Sequence, residues 1–223
     1  MSNKPITLYG HATGPNPWKV AIILEELKIP YETKYMDMGD LKKPAFEKLN
    51  PNGRVPAIED PNTSITLGES GAIIEYLVDT YDTTHSLTYT KSPEKYQVKQ
   101  WLHFQMSGQG PYFGQAAWFE KFHPEKIASA RDRYKDQIKR VLQVLDKHLS
   151  STGKEYLVGD KCTYADLSFV TWDMMVPWIF GDEAGSLEIE KNYPSYHAWN
   201  QRLMQRPSVQ KIGQDKQKAM SGK

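Results

Sequence analysis

The chain has 223 residues and one cysteine, Cys162, which excludes an internal disulfide and a dithiol redox pair. Any thiol chemistry must therefore arrive with a ligand. No apolar run is long enough to span a bilayer, and Met1-Ser2-Asn3-Lys4-Pro5 leads straight into a strand without an apolar signal core. A cytoplasmic protein with no membrane partner is expected. Neither sign of charge is in excess: 28 basic and 27 acidic side chains are spread without long single-sign runs. That balance leaves no electrostatic footprint for nucleic acid. The six histidines show no metal-ligand spacing, so no metal is expected. No serine lies between Ser2 and Ser64.

What is present suffices for a core. Apolar residues make up 39% of the chain, with abundant Tyr and Trp, and the length allows one large domain or two small ones. The pattern predicts two unlike halves. Ile6 to Tyr9 reads as a strand, Pro17 to Leu27 as a helix, Tyr31 to Met36 as a strand and Lys43 to Leu49 as a short helix. Ala57-Ile58 and Ile65-Thr66 form a hairpin before a helix that begins near Ser70. A βαβ unit followed by ββα is the order of a thioredoxin-like domain, here residues 1–82. The polar, unpatterned stretch 83–93 reads as a linker.

From Glu94 strand signals disappear, and residues 94–223 are expected to form an all-helical domain. Apolar positions recur at helical spacing from Glu94 to Ser107 and from Pro124 to Leu149. Between them, Gly108-Gln109-Gly110-Pro111-Tyr112-Phe113-Gly114 is expected to break the first long helix. Thr163-Tyr164-Ala165-Asp166 has the form of a capping box opening a buried helix, with Cys162 as a small packed residue beside it.

The most informative stretch runs from Asn50 to Ala72. Val55-Pro56 stands where a turn enters a strand, and Pro56 cannot donate to a ladder there. A bent peptide at that point, cis included, leaves the amide and carbonyl of Val55 open to a bound peptide. Glu69 and Ser70 precede the apolar run Ala72-Ile73-Ile74-Tyr76-Leu77-Val78. Carboxylate, hydroxyl and helix-start amides then converge, a corner suited to an α-amino-carboxylate group. Taken singly, each half reads equally as local structure, a strand-entry turn and a helix cap. Together, about fourteen residues apart, they resemble the glutathione-binding half of the cytosolic glutathione transferases, whose Val-Pro backbone pairs with the cysteinyl unit and whose Glu-Ser pair holds the γ-glutamyl end. The resemblance covers nearly the whole chain. It is closest to the fungal branch related to the yeast nitrogen-regulator prion protein, through Gly14-Pro15-Asn16, Trp18-Lys19-Val20-Ala21-Ile22, Ser107-Gly108 and Gly114-Gln115-Ala116.

The resemblance implies glutathione as co-substrate and a homodimeric detoxification enzyme that activates a thiol. A free thiol is about 3% ionised at neutral pH, and lowering its pKa by about 2 units takes roughly 2.7 kcal/mol of thiolate stabilisation. The loop from Gly10 to Pro17 joins the first strand to the positive end of the first helix. Pro17 suits the first helical position, with Asn16 as cap. The better-known transferases use a tyrosine ending the first strand or a serine in this loop, and neither transfers cleanly, since Tyr9 faces a longer loop and Thr13 is the nearest hydroxyl. By resemblance to the fungal branch, Asn16 donates its side-chain amide to the sulfur. Val55, Glu69 and Ser70 complete the glutathione site. Arg54 and Lys42 are candidates for the glycine carboxylate, or else solvated charges. Tyr112, Phe113 and Trp118 are expected in a second-substrate pocket between domains, or else in the core. Three functional classes stay open: conjugation to electrophiles, reduction of disulfides or peroxides with the same thiolate, and non-catalytic ligand binding. The chain begins directly at the fold, without the Asn/Gln-rich arm of the regulatory yeast relative, and an enzyme is therefore expected.

Overall fold

The structure, a computed structural model, describes residues 4–222; the first three residues of the lead into the first strand lie outside them. Two compact units are present: residues up to Leu87 together with those from Arg206 on, and Thr88 to Gln205.

The first unit is built on β1 (Ile6–Gly10), α1 (Pro15–Glu26), β2 (Tyr31–Tyr35), α2 (Pro44–Glu47), β3 (Ala57–Asp60), β4 (Ile65–Gly68) and α3 (Ser70–Tyr81). The strand order is β2-β1-β3-β4, with β1 parallel to β2 and the other neighbours antiparallel. This is the thioredoxin-like arrangement that the order of elements implied.

Side-chain alternation sorts the residues of this sheet onto two faces. Gly10 faces α1, since a β-carbon there would lie 3.1 Å from that of Pro17. Tyr31, in the same phase, donates to Glu25 of α1 (2.8 Å). Tyr9 lies in the opposite phase, its ring edge-on to Phe46 of α2 at 6.0 Å. A cluster of Leu41, Phe46 and Ala57 covers that second face, with Tyr9, Met36, Leu49 and Val55 packed against it. Helix α1 is buried without interruption from Pro17 to Leu24. It packs on β1 and α3 and on the last helix of the chain. Asp60 ties α3 to the sheet by accepting from Tyr76 (2.6 Å) and Tyr81.

The second unit contains α4 (Glu94–Phe104), α5 (Gly110–Ala117), α6 (Ala128–Thr152), α7 (Tyr164–Asp173), α8 (Val176–Phe180), α9 (Ile189–Asn192) and α10 (Pro194–Met204). The expected break at Gly108–Gly114 does not occur: a π-helical turn, Gln105–Gln109, joins α4 to α5, and a second one, Trp118–Phe122, extends α5. The wider turn accommodates Pro111, which has no amide to donate. Buried bonds brace it, from Gln105 to Gln109 (2.9 Å) and from Gln109 to the Phe169 carbonyl (3.2 Å) and Asp173 (2.7 Å). The capping box at Thr163 and Asp166 forms as expected. Asp166 further accepts from Leu157 N–H and Trp199 Nε1, both at 2.9 Å, and Cys162 is buried beside it.

The last helix, α11 (Pro207–Ser221), belongs to the first unit, whereas residues 94–223 were expected to stay together as one helical domain. The anchor is local chemistry: Arg206 donates two 2.7 Å bonds to Glu26, and Ser208 adds a third at 2.5 Å. Burial disfavours the Glu26 anion, but these donors outweigh it and hold the carboxyl below its usual pKa. Such a group contributes stability above its unfolded pKa, about 4.3, and loses it as pH falls through the folded value. Glu26→Gln should lower stability by about 1 to 3 kcal/mol near neutrality, and that difference should shrink on acidification below pH 4. Denaturant melts of the two proteins from pH 3 to 7 measure it.

Candidate functional site

Local sequence sets the start of α1. Gly14 is its N-cap with extended backbone (φ −69, ψ 128), no side chain caps it, and a proline occupies the first turn. The helix therefore begins two residues earlier than Pro17, and Asn16 is its second residue rather than its cap. The physical reason is that Pro15, with φ preset and no amide to leave unsatisfied, suits the first helical position as well as Pro17 does. Asn16 is half-buried there. Ahead of it, the loop is tied down by Trp18, whose Nε1 donates to the Ala12 carbonyl (2.8 Å). Thr13 is exposed and engages His11, its Oγ1 lying 3.0 Å from Nδ1.

Tyr9 points away from this loop. Its phase on β1 sends the ring to the α2 face, and its hydroxyl donates to Glu59 at 2.5 Å. Burial and that bond push its pKa up to about 12, so the phenol keeps its proton and shares it with Glu59 only as a hydrogen-bond donor.

The second half of the site hangs on Asn50, which is buried. Its Nδ2 donates to the Arg54 carbonyl (2.7 Å), its Oδ1 accepts from Asn52 N–H (3.1 Å), and its own carbonyl accepts from Gly53 N–H (2.8 Å). Gly53 has φ +59, and a β-carbon there would sit 2.7 Å from the Leu41 carbonyl oxygen, so only glycine fits. Gly68 is constrained likewise: its β-carbon would meet the Asn50 amide at 2.8 Å. From this loop Asn52 donates to Glu69 (3.3 Å), while Lys42 donates to the Asn52 carbonyl (2.7 Å). Arg54 is exposed. Val55 precedes the β3 ladder, and the Val55–Pro56 peptide is cis. Glu69 carries positive φ (63°) immediately before α3, whose first residue, Ser70, is buried. Lys42, Arg54, Val55, Glu69 and Ser70 thus gather around one loop.

An exposed carboxylate at the start of α3 is tied through Asn52 to the turn that enters β3, and the loop before α1 is pinned by Trp18. The N-terminal domain family of glutathione S-transferase matches residues 8–85, and its C-terminal domain family matches residues 110–207. The chain belongs to the glutathione S-transferase family. The glutathione S-transferase-like protein OpS6 of Beauveria bassiana is 48% identical over 96% of this chain and 97% of its own. Glutathione S-transferase 2 of Schizosaccharomyces pombe is 45% identical over 96% of each. Among solved structures, the glutathione transferase URE2P6 from Phanerochaete chrysosporium, in complex with oxidized glutathione, superimposes with a TM-score of 0.90 at 44% identity, covering 97% of this chain and 98% of that one.

In this transferase the residues expected to meet the second substrate lie on α5 and the π-turn after it. Tyr112 is half-buried under the Arg140 guanidinium, 5.9 Å from the ring centre. Phe113 is fully enclosed, edge-on to Trp172 at 6.5 Å, and so occupies the core of its unit. Trp118 is 48% exposed and packs on Phe122 at 6.2 Å. Among the described residues no group of three or more His, Cys, Asp or Glu is arranged to hold a metal ion, and no helix is long and apolar enough to cross a membrane.

Sequence reasoning missed Asn50 and Asn52, although the Asn-Pro-Asn-Gly run before Val55 is a turn signature whose side chains bond their own backbone. It also missed Lys19, a charged residue inside the apolar run of α1, buried to 1% exposure. Asn50→Ala should cost about 1 to 3 kcal/mol, because it orphans the Arg54 carbonyl and the Asn52 amide at once. Thermal melts should show that loss, together with weaker binding of S-methylglutathione.

Proposed function

We propose that this transferase conjugates glutathione to electrophilic small molecules, with the Asn16 side-chain amide donating to the glutathione sulfur. The observation that carries the reading is the start of α1. A carboxamide in the first turn, at the second residue of the helix, stands where unsatisfied N–H groups and the positive helix end favour an anion. Tyr9, the alternative donor, is turned to the other face and bonded to Glu59, and Thr13 is engaged with His11.

In this reading the Val55 backbone pairs with the cysteinyl unit, and Glu69 and the Ser70 helix start hold the γ-glutamyl ammonium and carboxylate. Arg54 and Lys42 supply positive charge for the glycine end. A neutral amide cannot take a proton at neutral pH. It lowers the energy of a thiolate electrostatically, as an oxyanion-hole donor does. The thiolate then attacks an electrophilic carbon, a C–S bond forms, and the leaving group departs as an anion. No general acid is assigned, so substrates with stable leaving anions are favoured, aryl halides among them. Two solved neighbours fit: Ure2p5 from Phanerochaete chrysosporium, cocrystallised with 1-(S-glutathionyl)-2,4-dinitrobenzene, and Ure2p in complex with S-p-nitrobenzylglutathione. Tyr112 and Trp118 are assigned to the second-substrate wall, with Phe113 backing it. A homodimeric, cytoplasmic enzyme is part of the reading on family grounds.

A second reading is glutathione-dependent reduction of disulfides or peroxides by the same thiolate. It is favoured by two neighbours solved with oxidized glutathione and by a third with two glutathiones per subunit. Steady-state rates with an aryl halide, an organic hydroperoxide and a small disulfide, at matched glutathione, order the two readings. Inactivity toward all three would overturn both.

Two mutational outcomes follow from the assignment. Asn16→Ala should reduce kcat about 100- to 1000-fold, the effect of one lost donor at a developing anion, while Tyr9→Phe and Thr13→Ala should each stay within about tenfold of wild type. A crippled Tyr9→Phe would reassign the donor. Glu69→Ala and Ser70→Ala should raise the KM for glutathione more than they lower kcat, because they grip the end remote from sulfur; calorimetric titration of each variant checks this.

A further inference from the structure

The large aromatic rings that the second unit leaves open are gathered in one place. Trp118 and Phe122 stand at the two ends of the π-helical turn after α5, their ring centres 6.2 Å apart, and Phe122 lies 5.9 Å from Trp178 of α8. These rings are 48%, 61% and 43% exposed, whereas Trp101, Trp172 and Trp199 of the same unit are buried. A contiguous aromatic face open to water is the kind of surface that a ligand or partner covers.

The turn carrying this face is clamped from behind. Phe119 stacks on Tyr134 of α6 at 5.5 Å, and His123 N–H closes the turn on the Trp118 carbonyl at 2.8 Å. The buried Glu120 carboxylate accepts from Arg131 and lies 3.1 Å from Lys135 Nζ, both on α6, and Lys135 also pairs with Glu183 at 2.9 Å. Those four charges answer one another. Lys121 stays on the open side with the rings: it is exposed, and its Nζ sits 5.5 Å from the centre of Trp178. Among the described residues no carboxylate forms an ion pair with it, since Glu120 and Glu183 go to Arg131 and Lys135. The face therefore combines three ring surfaces with one cation that no acid neutralises.

We propose that Lys121 selects the second substrate by charge: flat aromatic electrophiles bearing an anionic group, a carboxylate or a phenolate, lie against Trp118, Phe122 and Trp178 with that group on the Lys121 ammonium. The proposal rests on the conjugation reading above and on the place of Trp118 in the second-substrate wall; it adds Phe122 and Trp178 to that wall and narrows the substrate class. Stacking on the rings holds neutral and charged molecules alike. The charge-assisted bond to Lys121 is what tells them apart. In the reaction the glutathione thiolate attacks the ring carbon that bears the halogen, a C–S bond forms, the C–halogen bond breaks and halide leaves with the bonding pair. The anionic group takes no part in that step, so its effect falls on binding.

The test compares 4-chloro-3,5-dinitrobenzoate with its methyl ester, the same ring with and without the charge. The readout is the carboxylate-to-ester ratio of kcat/KM, in which the intrinsic reactivities of the two molecules cancel between variants. Lys121→Gln should lower the ratio about five- to tenfold, Lys121→Glu should lower it further, and Lys121→Arg should keep it within about twofold of wild type. Raising salt from about 0.05 to about 0.5 M should lower the wild-type ratio and leave that of Lys121→Gln level. Phe122→Ala and Trp178→Ala should raise KM for both molecules alike, with melting temperatures close to wild type because the lost rings are exposed. A wild-type ratio in Lys121→Gln, or KM values indifferent to Phe122→Ala and Trp178→Ala, would overturn the proposal and leave the face to another occupant, such as a protein partner. Failure of wild type to conjugate either molecule would instead defeat the conjugation reading itself, and this proposal with it.

Discussion

The burial of α1 on every side is the constraint on which the rest of the site depends. An ordinary surface helix offers one apolar stripe. This one is enclosed from Pro17 to Leu24 and packs on β1, α3 and α11. Enclosure fixes its axis and rotation, and with them the position of Asn16 in its first turn. It also forces the β1–α1 junction to close tightly: a β-carbon on Gly10 would crowd Pro17 at 3.1 Å, and Trp18 reaches back to pin Ala12. The enclosure is completed from the far end of the sequence by the Arg206, Ser208 and Lys211 contacts to Glu25 and Glu26. The head of the helix is thus held in place by packing along its length.

A second constraint sets the other half of the site. The Asn50 side chain does the work of a strand that the turn cannot form, satisfying the Arg54 carbonyl and the Asn52 amide while sitting where a β-carbon on Gly68 would collide with it. Asn52 passes that order on to Glu69. Polar groups so arranged have little freedom left to lose on binding a ligand.

Much of this was legible in the residues. The alternation and helical periodicity of the first eighty residues led to the correct order of strands and helices, and Thr163-x-x-Asp166 led to a real capping box. The Val55-Pro56 and Glu69-Ser70 pairs pointed to the same loop in which the structure gathers them. Other features were hidden for physical reasons. Pro15 and Pro17 both suit a helix start, so the sequence left the cap ambiguous by two residues. Glycine and proline at 108–114 signal a break locally, but the buried Gln105, Gln109 and Asp173 bonds carry the helix through a π-turn, and such tertiary support has no local signature. The destination of α11 was invisible because its partners, Glu25 and Glu26, lie at the other end of the chain. Phe113 and Trp118 have the same aromatic character in sequence, yet one is enclosed and the other open.

The proposed activation is electrostatic: the amide at the head of a buried helix, and no base, would hold bound glutathione as a thiolate near neutral pH. The most direct measurement is the pKa of the glutathione thiol in the binary complex, followed by thiolate ultraviolet absorbance across pH in wild type and in Asn16→Ala. A wild-type value about 2 units below the free thiol's is expected, rising to within about half a unit of it in the variant. An equal depression in both proteins would contradict it and locate the thiolate's stabilisation elsewhere in the fold.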